Sequence, residues 1–211
     1  MKLHSETRKE KRIQERKKEI LQVAMTLYTN KKASDITIQD IGKGVSFSRA
    51  SIYNYFATKE SIFLAFLTQE VIAWDKELRH VEESTAILSR KDFCQALAAS
   101  LQHRIAMLRL LSSDWLGLRT GSTESELLLF YHHWNMAWDS LRQCMNRFMP
   151  SMSKKKQDEC MTCLTAYIHG LYPIYLISGT EHNAMKTAHM MQHPLSIFDA
   201  AYLGIDKILP K

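Results

Sequence analysis

Arg49, Ser51, Tyr53 and Asn54 stand within six residues of one another in the stretch SRASIYNY, residues 48–55. Each carries a group that makes directional hydrogen bonds. A guanidinium presents parallel donors, and a carboxamide presents a donor beside an acceptor. Arg49 therefore suits the edge of guanine, Asn54 the edge of adenine, and Ala50 the methyl group of thymine. Arg49 suits a phosphate equally well. The hydroxyls of Thr37 and Ser48, placed where helices start, suit phosphate oxygens. Capping or packing is the plainer use of the same groups. This is recognition chemistry, not bond making. The chain has no nucleophile elbow, P-loop, Rossmann glycine set or HExxH, and its Ser, His and Asp residues follow no catalytic order. An enzyme is not expected.

For those groups to face outward, the stretch must be held from behind. Ile52 and Phe56, four residues apart, supply the apolar side. Upstream, Thr37 followed by Asp40 reads as a capping box that opens a short helix, with Ile38 and Ile41 turned inward. Gly42 and Gly44 weaken that helix and lead into a turn at residues 45–47, and Ser48 reads as the cap of the next helix. Thr58 caps a longer helix whose stripe is Ile62, Phe63, Phe66, Leu67, Val71 and Trp74, running to about His80. Ahead of all this, Ile20, Leu21, Ala24, Leu27 and Tyr28 mark a helix over 13–29, and residues 1–12 read as frayed. Two short helices joined by a tight turn, the second polar on its outer side, form the layout of a helix-turn-helix reader of the DNA major groove.

The charge agrees. The chain carries 28 Lys and Arg against 22 Asp and Glu, and the whole excess of six lies in residues 1–60. A basic segment beside such a motif is drawn to phosphate backbones by counterion release. Arg8, Lys9, Arg12 and Arg16 suit a flanking groove or backbone, or simple solvation in a mobile arm. Only 7 Gly and 4 Pro in 211 residues, with no alternating strand pattern, point to an all-α chain. The N-terminus lacks the apolar segment of a signal peptide, and no apolar run of about 18 residues occurs. The expected location is the cytoplasm, with no membrane partner. Cys94, Cys144, Cys160 and Cys163 read as structural thiols. His182, His189 and His193 have metal-compatible spacing in a polar stretch, and solvation is the stronger reading.

Residues 13–67 resemble the N-terminal domain of the TetR family of bacterial transcription regulators. The resemblance rests on Ile41, Val45-Ser46-Phe47, Ser48, Ile52-Tyr53, Tyr55-Phe56 and Thr58-Lys59 at the family's spacing. Ser46 replaces the usual turn Gly, Gly42 the usual Ala, and Ala50 a common Gly. The resemblance implies phosphate contacts from Tyr53 and Lys59. With Thr37, Ser48, Arg49, Ala50, Ser51 and Asn54, these make up the expected DNA-binding set. It also implies a homodimer of nine- or ten-helix subunits, a palindromic double-stranded operator, and release by a small-molecule effector, with no cofactor and no metal. An activator, a protein-controlled regulator and a non-DNA interaction protein that kept the fold remain as alternatives.

The expected architecture is a three-helix reading domain over 1–60 and a larger helical effector-binding and dimerisation domain over 61–211, the packing boundary falling nearer 70. Further helices are expected over 93–111, 113–118, 124–148 and 154–177, the last kinked by Gly170 and Pro173. A polar stretch over 178–194 and a final helix from Ser196 follow. The aromatic run at 130–138 is a candidate effector-binding lining, with Tyr131, Trp134 and Trp138 joined by Trp74, Met107, Trp115, Tyr167, His169, Tyr172 and Tyr175. An ordinary helical core is the competing reading for each residue. The carboxylates in these apolar segments are Asp114 and Asp139, with plain exposure the alternative for either, and the effector is expected to be lipophilic or aromatic. The helix over 154–177 and the last helix, with Phe198, Tyr202 and Ile205, are the expected dimer faces.

Overall fold

The computed structural model of the chain describes residues 2–175, 179–190 and 195–210. Among the described residues every regular element is helical. The helices are α1 (Lys2–Asn30), α2 (Ile38–Gly42), α3 (Lys59–Glu83), α4 (Arg90–Gln102), α5 (Ile105–Arg109), α6 (Trp115–Gly121), α7 (Glu124–Phe148), α8 (Lys154–Tyr175), α9 (Gly179–Thr187) and α10 (Ile197–Ile208). Short 3-10 turns at Ala33–Asp35 and Arg49–Asn54 and a π-helical turn at Leu110–Asp114 complete the set.

The chain divides into two compact units. One comprises residues 1–69 and 114–131, the other residues 70–113 and 132–211. In the first, Ile20, Leu21, Ala24 and Tyr28 of α1 are buried with Ile41, Ile52, Ile62, Phe63 and Leu67. That is the predicted face except for Leu27, which is half-buried, since residues three and four apart line one side of a helix. Tyr28 donates its hydroxyl to Asp114 at 2.7 Å, and Thr58 donates to the Gly121 carbonyl at 2.9 Å, so residues 114–131 are bonded into this unit. In the second unit α10 packs on α4 and α8, and α5 packs on α8. Tyr167 donates to the Ala200 carbonyl at 2.6 Å. A Cβ at position 204 would lie 2.1 Å from the Tyr167 ring, so only glycine lets the ring rest on the α10 backbone.

Four expectations are corrected. Helix α1 begins at Lys2 instead of Ile13, because residues 2–30 contain no Gly or Pro and are rich in Lys, Arg, Glu and Gln, which keep most of their rotamer freedom in a helix. The segment expected over 93–111 opens at Arg90, where Ser89 accepts the Asp92 amide at 3.2 Å, and it breaks at His103. Residues 179–187, expected as part of a polar connection, form α9. Polar composition does not by itself stop a helix that lacks Gly and Pro inside it. Finally, the buried carboxylate among the apolar helices is Asp75, only 6% exposed, which accepts from Ser140 at 2.6 Å and pairs with Arg79 at 2.9 Å. Asp139 is exposed and accepts from Asn135. Pro173 lies inside α8, close to its end.

Candidate nucleic-acid interface

Helix α2 starts as its sequence demands. Thr37 accepts the Asp40 amide at 3.1 Å, and Asp40 accepts both the amide and the hydroxyl of Thr37, at 3.2 and 2.7 Å. These bonds hold the Asp40 carboxyl below its ordinary range, the Thr37 hydroxyl bond being the largest cause. The box satisfies amides that would otherwise be orphaned at the helix start. After α2 the chain passes close under α1. A Cβ on residue 44 would stand 2.6 Å from Val23 Cγ1, so Gly44 sets how near the turn can approach.

The second element of the motif is tighter than a recognition α-helix. Residues Arg49–Asn54 wind as a 3-10 segment, with the Ser51 amide donating to the Ser48 carbonyl at 2.9 Å. Ser48 is not a side-chain cap, as the sequence suggested. Its hydroxyl instead bonds that of Ser51 at 2.8 Å, three residues on, where a 3-10 turn brings side chains into line. Ile52 is fully buried and Phe56 6% exposed, and these two hold the segment from behind. Arg49, Ala50, Tyr53 and Asn54 are exposed, and Ser51 is half-buried. Tyr53 stands 57% exposed.

Lys59, at the start of α3, is half-buried, and its ammonium already has two protein partners. Nζ donates to the carbonyls of Ala33 at 3.0 Å and Ser34 at 2.9 Å. An ammonium has three donors, so one is left. Thr37 and Ser48 are exposed. Thus Thr37, Ser48, Arg49, Ala50, Tyr53 and Asn54 are exposed, the stem of Arg49 lying against Gly42 of α2, while Ser51 and Lys59 are half-buried.

Sequence reasoning missed the clamp on the turn. Glu19 of α1 accepts the Ser46 amide, Arg16 donates to the Ser46 hydroxyl at 2.5 Å, and Arg16 pairs with Glu19 at 3.0 Å. The Arg16 guanidinium lies 4.6 Å from the Phe47 ring centre, and Phe47 meets Tyr55 edge-on at 5.9 Å. The Ser46 amide bond is the largest of the effects that hold the Glu19 carboxyl below its usual range. The signal was present in Ser46 standing where a turn glycine is usual, but nothing in α1 says which residues face the turn.

The second set of predicted residues falls in both units. Trp115 and Tyr131 belong to the first, where Trp115 meets Phe130 at 5.0 Å and Tyr131 at 6.2 Å. The second unit holds Trp74, Met107, Trp134, Trp138, Tyr167 and Tyr172. Trp74, Trp134 and Trp138 form one cluster, with ring centres 5.6 to 6.3 Å apart, and His169 stands 5.9 Å from Trp134. Trp74 donates its indole N–H to Ser100 at 3.0 Å. Met107 and Tyr172 are buried, and Tyr167 is half-buried. The side chain of Tyr175, and all of His193, lie outside the described residues. His182 and His189 are exposed, and no metal-compatible cluster occurs among the described residues. No helix among them is long and apolar enough to cross a membrane.

Residues 20–66 match a family model described as bacterial regulatory proteins, tetR family, and residues 68–201 match one described as Tetracyclin repressor-like, C-terminal domain. The HTH-type transcriptional regulator EthR of Mycobacterium tuberculosis is 33% identical over 73 residues, as is its Mycobacterium bovis counterpart. That match covers 35% of this chain and 34% of EthR, so the chain spans about a third of the length of the curated relatives it matches. Two solved structures share the fold. SmeT, the repressor of the Stenotrophomonas maltophilia multidrug efflux pump SmeDEF, superposes with a TM-score of 0.50 at 16% identity over 91% of this chain and 87% of that one. A putative TetR-family transcriptional regulator from Mesorhizobium loti gives 0.54 at 15% identity, covering 93% and 96%.

Proposed function

The chain belongs to the TetR family of transcriptional regulators, and from that premise we propose that it is a repressor that binds a palindromic operator as a homodimer and leaves it when a small molecule binds. The observation that carries this is the Arg49–Asn54 segment, anchored inward by Ile52 and Phe56 with Arg49, Ala50, Tyr53 and Asn54 exposed. Arg49, Ser51 and Asn54 read base edges, Ala50 contacts a thymine methyl, and Tyr53, Thr37 and Ser48 position the segment through phosphates. Lys59 adds its remaining N–H to a phosphate.

The effector belongs to the second unit. The cluster of Trp74, Trp134 and Trp138, with His169 at its edge, favours an aromatic or lipophilic molecule that stacks on indole faces. Release is a population shift, since a ligand moves an equilibrium only by its difference in affinity for the two states. The dimer forms through α8 and α10. On α8, Thr162, Cys163, Ala166 and Gly170 are exposed along one side, and on α10 Leu203 is 51% exposed. A second copy would cover that face.

Selection of duplexes from a random pool, followed by gel shift of the enriched sequence, tests the reading. Two half-sites related by a dyad, bound with steep salt dependence, are expected. Failure to enrich any sequence sinks it. A sedimentation run that gives only monomer bound to one half-site removes the dimer.

A further inference from the structure

The face of α1 that meets the reader's turn carries a row of guanidinium groups leading away from it. Arg16 and Glu19 mark that face by their bonds to Ser46. Residues four apart follow one another along a helix at about 6 Å per step. Arg12 and Arg8 therefore continue the line from Arg16 outward.

The core does not use this end of α1. Among residues 8–30, whose burial is described, the first buried residue is Ile20. Arg8, Lys9, Lys11 and Arg12 are exposed and border an open hollow of about 850 Å³. Among the described residues these four make no ion pair, while Arg16 is spent on Ser46, Glu19 and Phe47. Residues 8–18 hold seven Lys and Arg and two Glu. Within this stretch of about 17 Å of helix Arg16 is paired and Lys17 lies 5.7 Å from the Phe56 ring centre, while Arg8, Lys9, Lys11 and Arg12 have no ion-pair partner among the described residues.

We propose that this row is a second DNA contact, in which Arg8 and Arg12 hold phosphates of the duplex flanking the half-site read by Arg49–Asn54. The inference rests on the DNA-binding reading above. Its ground is charge complementarity in continuity with the reader. Guanidiniums about 6 Å apart suit successive phosphates of one strand, whose through-space separation exceeds the axial rise of about 3.4 Å because the strand winds around the axis. Planar guanidiniums take phosphate oxygens in pairs. A lipid surface fits less well, because Ile13 is the one apolar residue between 8 and 18 and leaves no apolar face to insert.

The test uses the full chain and a duplex enriched from random sequence with long flanks. Affinity is measured by fluorescence anisotropy across a fourfold range of salt for the natural protein, for Arg8→Gln/Arg12→Gln, and for Lys154→Gln/Lys155→Gln. The last pair removes the same charge from exposed positions of the other unit. The Arg8/Arg12 variant should lose about 3.6 from the salt slope of the bound dimer, two phosphates at each of two half-sites, so that its deficit changes roughly a hundredfold over that range. Its footprint should shorten at the flanks, with base preference inside the half-site unchanged and the melting temperature within about 1 °C. An unchanged slope and footprint overturns the proposal, as does an equal loss in the Lys154/Lys155 control. Loss of binding to phosphatidylserine vesicles with the DNA slope intact overturns it in favour of a membrane surface. If the natural protein enriches no duplex, the DNA reading falls first and this falls with it. If it enriches one and the slope stands, this proposal alone falls.

Discussion

Lys59→Met separates two jobs that the geometry gives one ammonium. Nζ lies 3.0 Å from the Ala33 carbonyl and 2.9 Å from that of Ser34, closing the turn between α1 and α2 onto the first residue of α3. Methionine keeps an unbranched apolar stem and removes all three donors. A buried hydrogen bond from a charged donor contributes about 1.5–3 kcal/mol. Lys59 is half-buried and Ser34 exposed, so solvent competes and about 1 kcal/mol per bond is the better figure. The pair then contributes about 2 kcal/mol, or about 4–8 °C in melting temperature for a chain of this size. The third N–H is the one available to a phosphate, and losing it in both subunits of the dimer should lower the salt slope of operator binding by about 1.8. Circular dichroism melting reads the first effect and anisotropy against salt the second. A melting temperature within about 1 °C of the natural protein refutes the tether. A normal melting loss with an unchanged slope refutes the phosphate role and leaves Lys59 as a structural residue.

Three further outcomes follow from the same geometry. Glu19 and Asp40 both sit below the ordinary carboxylate range, so their stabilisation is fully present above about pH 4–5 and is lost as pH falls through their depressed values; melting temperature should be insensitive to these groups from pH 5 to 8 and fall more steeply in acid than in Glu19→Gln/Asp40→Asn, and parallel curves would show that the two bonds do not act. Gly44→Ala should destabilise by about 1–3 kcal/mol through the clash with Val23, and adding Val23→Ala should recover part of it, whereas simple additivity in a denaturant double-mutant cycle would mean the approach is not tight. Burial raises Cys94 and Cys160 and pushes Cys144 up to about 12, so these three thiols should react slowly with a disulfide reagent at pH 8 in the folded protein and rapidly once unfolded; fast native labelling of Cys144 contradicts its burial.

The fold class and the reading motif were legible because they rest on local rules. Apolar spacing at three and four residues marked the buried faces of α1 and α3, Ser196 accepting from Asp199 opened α10 as read, and the Thr37–Asp40 box is contained within four residues. Ile52 and Phe56 identified themselves as anchors by their spacing alone. Where the chain's neighbours mattered, the sequence was silent. It does not say that residues 114–131 join the reading unit, because that depends on Tyr28 meeting Asp114 and Ser61 meeting Glu126, pairs separated by more than sixty positions. Nor does it divide the aromatic residues, which composition lumps together and packing sorts into Trp115 with Phe130 and Trp74 with Trp138.

The sequence by itself determined that this is a helical chain with a polar, basic reader near one end, since helix periodicity, capping and charge are properties of residues a few positions apart. Tertiary structure decided how that reader is held. The Ser46 amide needs an acceptor, Lys59 finds its carbonyls, and Arg16 turns from a free cation into a strut, because α1 lies across the turn at hydrogen-bond distance. Hydrogen bonds act over about 3 Å, and only the folded chain brings residues so far apart in sequence within that reach.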